Sequence, residues 1–202
     1  MVLPAYIDET TGEITDGEAW VALASTTLSS DTALITFTSP NDGSSKDWSQ
    51  FMDLVIVWYA RGPGSGTQLT YMTMTLNNDT SAGAYPNQFQ RGNNNGVSTS
   101  SDHAPGPAYQ LLAMIPENGH AAGIFAGGVC HIFDINSGKY KSMMAMTAAD
   151  VNSGGTGESR IDFTMWRNTA AVSEIDIKQL FGSNLETGSR WDLFGVLPRM
   201  VS

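Results

Sequence analysis

Apolar and polar residues alternate in short runs along the chain, and turns rich in Gly, Asn and Ser separate these runs. Ile35 and Phe37 alternate with threonines, and residues 69–76 repeat the pattern. A period of two predicts β-strands with one buried face. Residues 51–60 are apolar at nearly every position, which predicts a central strand covered on both sides.

Other segments enriched in β-branched and aromatic residues predict further strands. They cover residues 20–28, 123–135, 140–147, 158–166, 172–180 and 190–197. No segment longer than two turns carries the apolar stripe of an amphipathic helix. Many short strands at a spacing of roughly ten residues are typical of a β-sandwich or barrel. The alternation predicts a single core formed by Ile35, Phe37, Val55, Val57, Met72, Met74, Ile161, Phe163, Ile175, Ile177 and Leu193.

Three segments are less regular. Residues 77–107 are rich in Asn, Ser, Gly and Pro and are interpreted as a long loop, a kind of segment that is usually functional or disordered. Residues 109–115 fit a short helix or a strand equally well. Residues 1–17 are acidic and have few core-forming residues, so they are interpreted either as an N-terminal arm or as a first strand at 5–7. The rest of the chain, residues 18–202, is expected to form one sandwich domain.

The arm has enough apolar side chains to anchor on a partner, and too few to build a core. We expect it to pack against a neighbouring subunit or an underlying shell. The candidate anchors are Val2, Leu3, Tyr6, Ile7 and Ile14.

Composition and charge exclude several classes of protein. The chain has 202 residues, a charged fraction of 15% and a formal net charge of −10. Nucleic-acid binding usually leaves a basic footprint, which this chain lacks. No apolar run is long enough to span a membrane, and no secretory signal is visible. The single cysteine, Cys130, excludes an intramolecular disulfide, so the expectation is a protein made in a cytoplasm.

Motifs for catalysis are missing from the sequence. The serine-hydrolase elbow, the zinc-protease motif and the phosphate-binding loop are all absent, so we expect a non-enzymatic protein without cofactors. His131 lies on an apolar strand, and neither Cys130 nor Asp134 shares its face. A pair of glycosidase acids among Glu117, Asp134 and Glu158 stays open, because their separation depends on the fold. A calcium loop beginning at Asp150 is a weak match to the EF-hand pattern.

Aromatic rings in loops can stack on sugars. Four rings lie in or beside loops and are candidates for facing a glycan: Trp48, Tyr85, Phe89 and Tyr109. The other four tryptophans lie in predicted strands and are interpreted as structural.

Two stretches carry a resemblance to a known family. Residues 69–85, LTYMTMTLNNDTSAGAY, run from a strand into Asn-x-Asp-Thr and end on a tyrosine. Residues 165–195 contain an Asn-Thr-Ala-Ala turn, a strand with Ile175 and Ile177, and a final segment between two glycines. Together they resemble the β-sandwich virion proteins of tailed bacteriophages, which include capsid decoration (cement), head-fibre and tail-associated proteins. Phe194 stands where the family usually has a tyrosine.

The resemblance implies an all-β, jelly-roll-like antiparallel sandwich, here with an extended N-terminal arm, that is often trimeric and has no catalytic residues. We therefore expect a virion structural protein assembled in the bacterial host cytoplasm. Its most favoured role is capsid decoration on the particle exterior. Its expected partners are copies of itself, as a homotrimer, and other virion proteins such as the major capsid protein. The alternative is a tail-associated or receptor-binding sandwich that recognises host carbohydrate.

Overall fold

Two antiparallel β-sheets face each other in this computed structural model. The structure describes residues 20–64, 69–93, 96–102, 107–151 and 157–197, and of residues 96–102 it describes only the backbone. The strands are numbered in chain order. The eight-stranded sheet has the spatial order β1 (Trp20–Thr27), β12 (Arg190–Val196), β3 (Asp53–Ala60), β8 (Ala126–Ile132), β9 (Lys141–Ala149), β10 (Glu158–Trp166), β5 (Asn87–Asn93) and β6 (Gly96–Asp102). The four-stranded sheet has the order β2 (Leu34–Thr38), β11 (Glu174–Gln179), β4 (Leu69–Leu76) and β7 (Gln110–Pro116).

This arrangement confirms the all-β, jelly-roll-like antiparallel sandwich expected from the sequence. Residues 110–116 form a strand, which decides between the two alternatives for that segment. A single turn of 3-10 helix, Trp48–Gln50, lies before β3. The predicted arm, residues 1–17 with Val2, Leu3, Tyr6, Ile7 and Ile14, lies outside the described residues.

The core lies between the sheets and contains most of the side chains that alternation predicted. Seven of these side chains are buried in the core cluster: Ile35, Phe37, Met72, Met74, Ile175, Ile177 and Leu193. Val55 is also fully buried, although its neighbours Leu54 and Ile56 are the residues of β3 that point into the core.

Three more predicted core residues point away from the core and, unlike Val55, are not buried. Val57 and Phe163 are exposed, and Ile161 is half-buried, so the prediction is wrong for all three. On β3 both faces are apolar, and alternation could not identify the inner one. On β10 the inner face is polar, and its apolar face is the outer one.

The inner face of β10 buries charged groups in pairs. Arg160 donates from Nε to Asp162 Oδ2 at 2.6 Å and from a terminal nitrogen to Oδ1 at 2.7 Å. The guanidinium also lies 3.7 Å from the ring centre of Phe89 on the neighbouring strand β5. This bidentate pair uses two of the five N–H donors of the buried arginine and balances its charge, which helps to explain how a polar strand face can be enclosed.

The described parts of residues 77–107, which are 77–93, 96–102 and 107, contain more regular structure than the loop interpretation predicted. Within this segment β5 and β6 pair as an antiparallel hairpin, and β5 also pairs with β10. The strand sequences, NQFQRGN and GVSTSSD, are too polar to show the alternation of a half-buried strand.

Candidate functional site

The outer face of the eight-stranded sheet exposes an apolar surface. Val57, Val129, Met146 and Ile161 lie opposite one another on four successive strands, β3, β8, β9 and β10. A second row runs through His131, Met144 and Phe163 to Gln88 of β5. The exposed fractions are 37% for Val57, 41% for Met146, 51% for Phe163 and 41% for Met165. We call the surface formed by these two rows and by the other outward residues of β8, β9 and β10 the outer face.

The middle of the outer face carries no formal charge from Lys, Arg, Asp or Glu. The outward positions of β8, β9 and β10 are occupied by Gly127, Val129, His131, Ser142, Met144, Met146, Ala148, Ser159, Ile161, Phe163 and Met165. The whole chain has a net charge of −10, so this neutral area differs from the average surface. Contiguous exposed apolar patches on soluble proteins often mark interaction surfaces.

A cleft opens at one end of the outer face. It has a volume of about 530 Å³, and we call it the outer cleft. Its lining includes Pro86, Phe133, Met144, Phe163, Met165 and Arg167. Among the described residues that line it, Arg167 is the only one with a formal charge, and its side chain is exposed.

A histidine–aspartate pair lies beside the outer cleft. His131 Nε2 is 2.8 Å from Oδ2 of Asp53, and the His131 ring stacks on Phe133 with centres 4.0 Å apart. The other oxygen of Asp53 accepts from the backbone N–H of Asp134 at 2.7 Å. Asp134 lies beyond the end of β8, where the alternation of a strand no longer applies. Sequence spacing could not indicate Asp53 as the partner of His131, because the two residues lie 78 positions apart in the chain.

Cys130 does not complete this pair. It is fully buried on the inner face, and burial raises the pKa of its thiol. A thiol of that kind remains protonated and is a poor nucleophile. The half-buried position predicted for His131 is confirmed.

Two of the four aromatic residues predicted to face a glycan are buried, so the prediction is wrong for Trp48 and Tyr85. Trp48 is 2% exposed, and its backbone carbonyl accepts from Asn136 Nδ2 at 2.9 Å. Tyr85 is 0% exposed, and its hydroxyl accepts from the backbone N–H of Leu76 at 2.9 Å. Burial raises the pKa of the Tyr85 phenol.

The other two rings are half-buried. Phe89 lies on the inner face of β5 beneath the guanidinium of Arg160, and Tyr109 directly precedes β7. With Trp48 and Tyr85 in the core, the four rings do not form one exposed aromatic surface. Of the tryptophans interpreted as structural, Trp58, Trp166 and Trp191 are buried, whereas Trp20 is 45% exposed.

The acids considered for catalysis or calcium binding differ from one another in burial and in their contacts. Glu158 is buried 3.6 Å from Arg91, and burial raises its pKa. Asp134 is exposed at a turn with a φ of 55°. Asp150 is described, but most of the proposed calcium loop, residues 152–156, lies outside the described residues. Within the described ranges, no three His, Cys, Asp or Glu side chains are grouped so that they could hold a metal ion.

The two stretches that carry the family resemblance bind each other. Asn77 Oδ1 accepts from the backbone N–H groups of Ser173 and Glu174 at 2.8 and 3.0 Å. Its Nδ2 donates to the carbonyl of Ala171 at 2.8 Å. Asn77 itself adopts a φ of 50°, a conformation that asparagine tolerates better than most residues.

Asp79 makes the second connection between these stretches. Its Oδ2 accepts from Trp166 Nε1 at 2.8 Å and from Asn168 Nδ2 at 3.4 Å, and its Oδ1 accepts from the N–H of Ser81 at 3.0 Å. Burial opposes its ionisation, but these hydrogen bonds hold the pKa of Asp79 below its usual range. The Asn-x-Asp motif therefore joins two parts of the sandwich.

No family model and no curated protein matches the chain. A search of solved structures finds the CBM40 domain of the Ruminococcus gnavus IT-sialidase bound to α2,6-sialyllactose. The alignment covers 88% of this chain and 95% of that domain, at 9% sequence identity and a TM-score of 0.29. At that TM-score the similarity carries no argument about function. Among the described residues, no helix has the length and apolar character needed to cross a membrane.

Proposed function

We propose that this chain is a non-enzymatic structural protein that assembles through its outer face. The observation that carries the proposal is the uncharged apolar surface across β8, β9 and β10, with Met146, Phe163 and Met165 exposed. Fully burying a side chain of this size contributes about 1.5–3 kcal/mol. A few such side chains at the centre of an interface can supply most of its binding energy.

The partner that covers this face is first of all another copy of the chain. Closed cyclic symmetry lets identical subunits share such surfaces, and the family resemblance favours a homotrimer. Copies with a charge of −10 repel each other, so a shared surface without like charges is the favourable place for contact.

The resemblance to phage virion proteins gives the proposal its biological setting. The trimer decorates the capsid exterior of a tailed bacteriophage, in contact with the major capsid protein, and its location is the virion. The alternative is a tail-associated or carbohydrate-binding protein. Carbohydrate binding relies on exposed rings, and two of the four candidate rings are buried.

Phe163→Glu tests the assembly directly. Placing a carboxylate in the apolar contact is expected to weaken self-association at least about tenfold, which corresponds to about 1.4 kcal/mol. Sedimentation equilibrium at micromolar concentration measures the change. Phe181→Glu is the matched control, because Phe181 is 70% exposed and follows β11 of the other sheet.

Equal sedimentation of the wild type and both variants would contradict assembly through the outer face. The virion setting is tested separately by cryo-electron microscopy of particles that contain the tagged chain. Density on the capsid shell supports decoration, whereas density on the tail supports the alternative. Binding on a glycan array by the wild type would support receptor recognition in place of cementing.

A further inference from the structure

The outer cleft and the N-terminal segment match each other in position and chemistry. We infer that the outer cleft of one copy receives residues 1–17 of a neighbouring copy. This inference rests on the assembly proposed above and names the segment that reinforces it.

The first argument is where the segment leaves the sandwich. β1 begins at Trp20 on the edge of the eight-stranded sheet. A continuous row of residues leads from there across the sheet. Its members are joined by strand pairing, by hydrogen bonds or, between Asp134 and Phe133, by the chain itself: Trp20, Val196, Asp53, Asp134, Phe133, Ser142, Met165 and Pro86. Phe133, Ser142, Met165 and Pro86 line the outer cleft, so the segment departs at the end of the sheet where the cleft opens.

The second argument is reach. The cleft lies on β9 and β10, four and five strands from β1, which is about 19–24 Å at the usual strand spacing. Seventeen residues in extended form span at most about 60 Å. The segment is therefore long enough to pass from its own β1 to the cleft of a copy seated beside the sheet.

The third argument is chemical. The segment 1–17 offers apolar Val2, Leu3, Tyr6, Ile7 and Ile14 together with the carboxylates of Asp8, Glu9, Glu13 and Asp16, and it contains no Lys, Arg or His. The outer cleft offers flexible methionines, two phenylalanines and the exposed cation of Arg167. Methionine side chains adapt readily to varied apolar ligands. The segment is thus complementary to the cleft in both polarity and charge.

The donor is a neighbouring copy because the cleft is continuous with the outer face. Phe163 and Met165 belong to both surfaces, so a copy that covers the outer face reaches the rim of the cleft. In a closed ring every copy then donates one segment and receives one.

Cross-linking of full-length chains tests this exchange. A tagged chain with Tyr6→Cys is mixed with an untagged chain with Ser142→Cys, assembled and treated with a short bis-maleimide. Ser142 is an exposed residue of the cleft, and the native Cys130 is fully buried. Ser159→Cys is the matched control, because Ser159 is also an exposed serine of the outer face but lies near the other end of β10.

We expect the tagged-to-untagged product to be about tenfold more abundant with Ser142→Cys than with Ser159→Cys. Arg167→Glu in the receiving chain is expected to lower that yield about fivefold, because it replaces an attractive charge by a repulsive one. Equal yields from the two positions would overturn the inference. Cross-links formed only within a chain that carries both Tyr6→Cys and Ser142→Cys would overturn it as well.

Sedimentation of the same samples separates this inference from the proposed function. If the chains form an oligomer but do not cross-link at Ser142, the segment exchange is wrong and assembly through the outer face stands. If the chains sediment as monomers in all samples, the proposed assembly itself is wrong.

Discussion

At the scale of single residues, Asn77 and Asp79 show how two distant segments are held together by side-chain atoms. Asn77 binds the backbone of residues 171–174, and Asp79 binds the side chains of Trp166 and Asn168. Trp166 is fully buried, so its indole N–H depends on Asp79 for its partner. Buried donors that lose their partner cost the full penalty of desolvation.

Asp79→Ala is therefore expected to lower the free energy of unfolding by about 1–3 kcal/mol, since it leaves the Trp166 N–H unpaired in the core. Asp79→Asn is the matched variant: its amide oxygen can still accept from Trp166, so its loss is expected to be smaller. Urea unfolding followed by tryptophan fluorescence measures both. Equal losses for the two variants would show that the charge, and not the hydrogen bond, is what matters.

Sequence could indicate these residues but not their role. The Asn-x-Asp motif is visible in the chain, whereas the partners of its Asp79 lie 87 and 89 residues further on. The same limit applies to Tyr85, whose hydroxyl is enclosed by the end of β4. Loop position suggested an exposed ring, because burial by distant segments leaves no local pattern.

At the scale of elements, β10 is the strand in which pattern and packing disagree. Its bounds and its alternation match the prediction, yet Phe163 lies outside and Asp162 lies inside. Alternation reports which residues share a face, but it does not report which face meets the core. Here the pairing of Arg160 with Asp162 allows the polar face to be the inner one, and the apolar face is left on the outside.

Asp162→Ala is expected to destabilise the fold by about 3–5 kcal/mol, because it leaves the Arg160 guanidinium buried without a counter-charge. The double variant Arg160→Met, Asp162→Leu is expected to lose less than this single variant, since it removes both charges and keeps most of the volume. Denaturant unfolding, at a protein concentration too low for self-association, measures the free energy of unfolding of the wild type, the single variant and the double variant.

The chain contains its own control for this prediction. Arg190 and Asp192 form a second Arg-x-Asp pair on β12, at 2.8 Å, but the Arg190 side chain is exposed. Asp192→Ala should therefore change stability little, because solvent screens exposed pairs. Similar losses at Asp162 and Asp192 would contradict the view that burial makes the β10 pair important.

The β5–β6 hairpin shows that a strand can form without the alternation of apolar and polar residues that makes it predictable. Its strand sequences, NQFQRGN and GVSTSSD, are mostly polar, so composition favoured a loop. Backbone pairing with β10 and within the hairpin determines its structure. Strands such as β2 and β4 were predictable because each has a regular apolar face against the core.

At the scale of the whole molecule, net charge and surface polarity act in opposite directions on assembly. Each copy carries a formal charge of −10, whereas β8, β9 and β10 present an uncharged apolar surface. Repulsion between copies acts over distance and is screened by salt, with a Debye length near 30 Å at 0.01 M and 8 Å at 0.15 M. Apolar contact acts only at short range and is not weakened by moderate salt.

Self-association is therefore expected to strengthen when the sodium chloride concentration rises from about 0.01 M to 0.15 M, because the Debye length falls from about 30 Å to about 8 Å over this range. Sedimentation equilibrium at the two salt concentrations measures the dissociation constant. Phe163→Glu should show a larger salt effect than the wild type, because it adds like charges within the contact itself, while Phe181→Glu should follow the wild type. Dissociation of the wild type on adding salt would instead mean that ion pairs hold the copies together, and it would remove the outer face as the main source of binding energy.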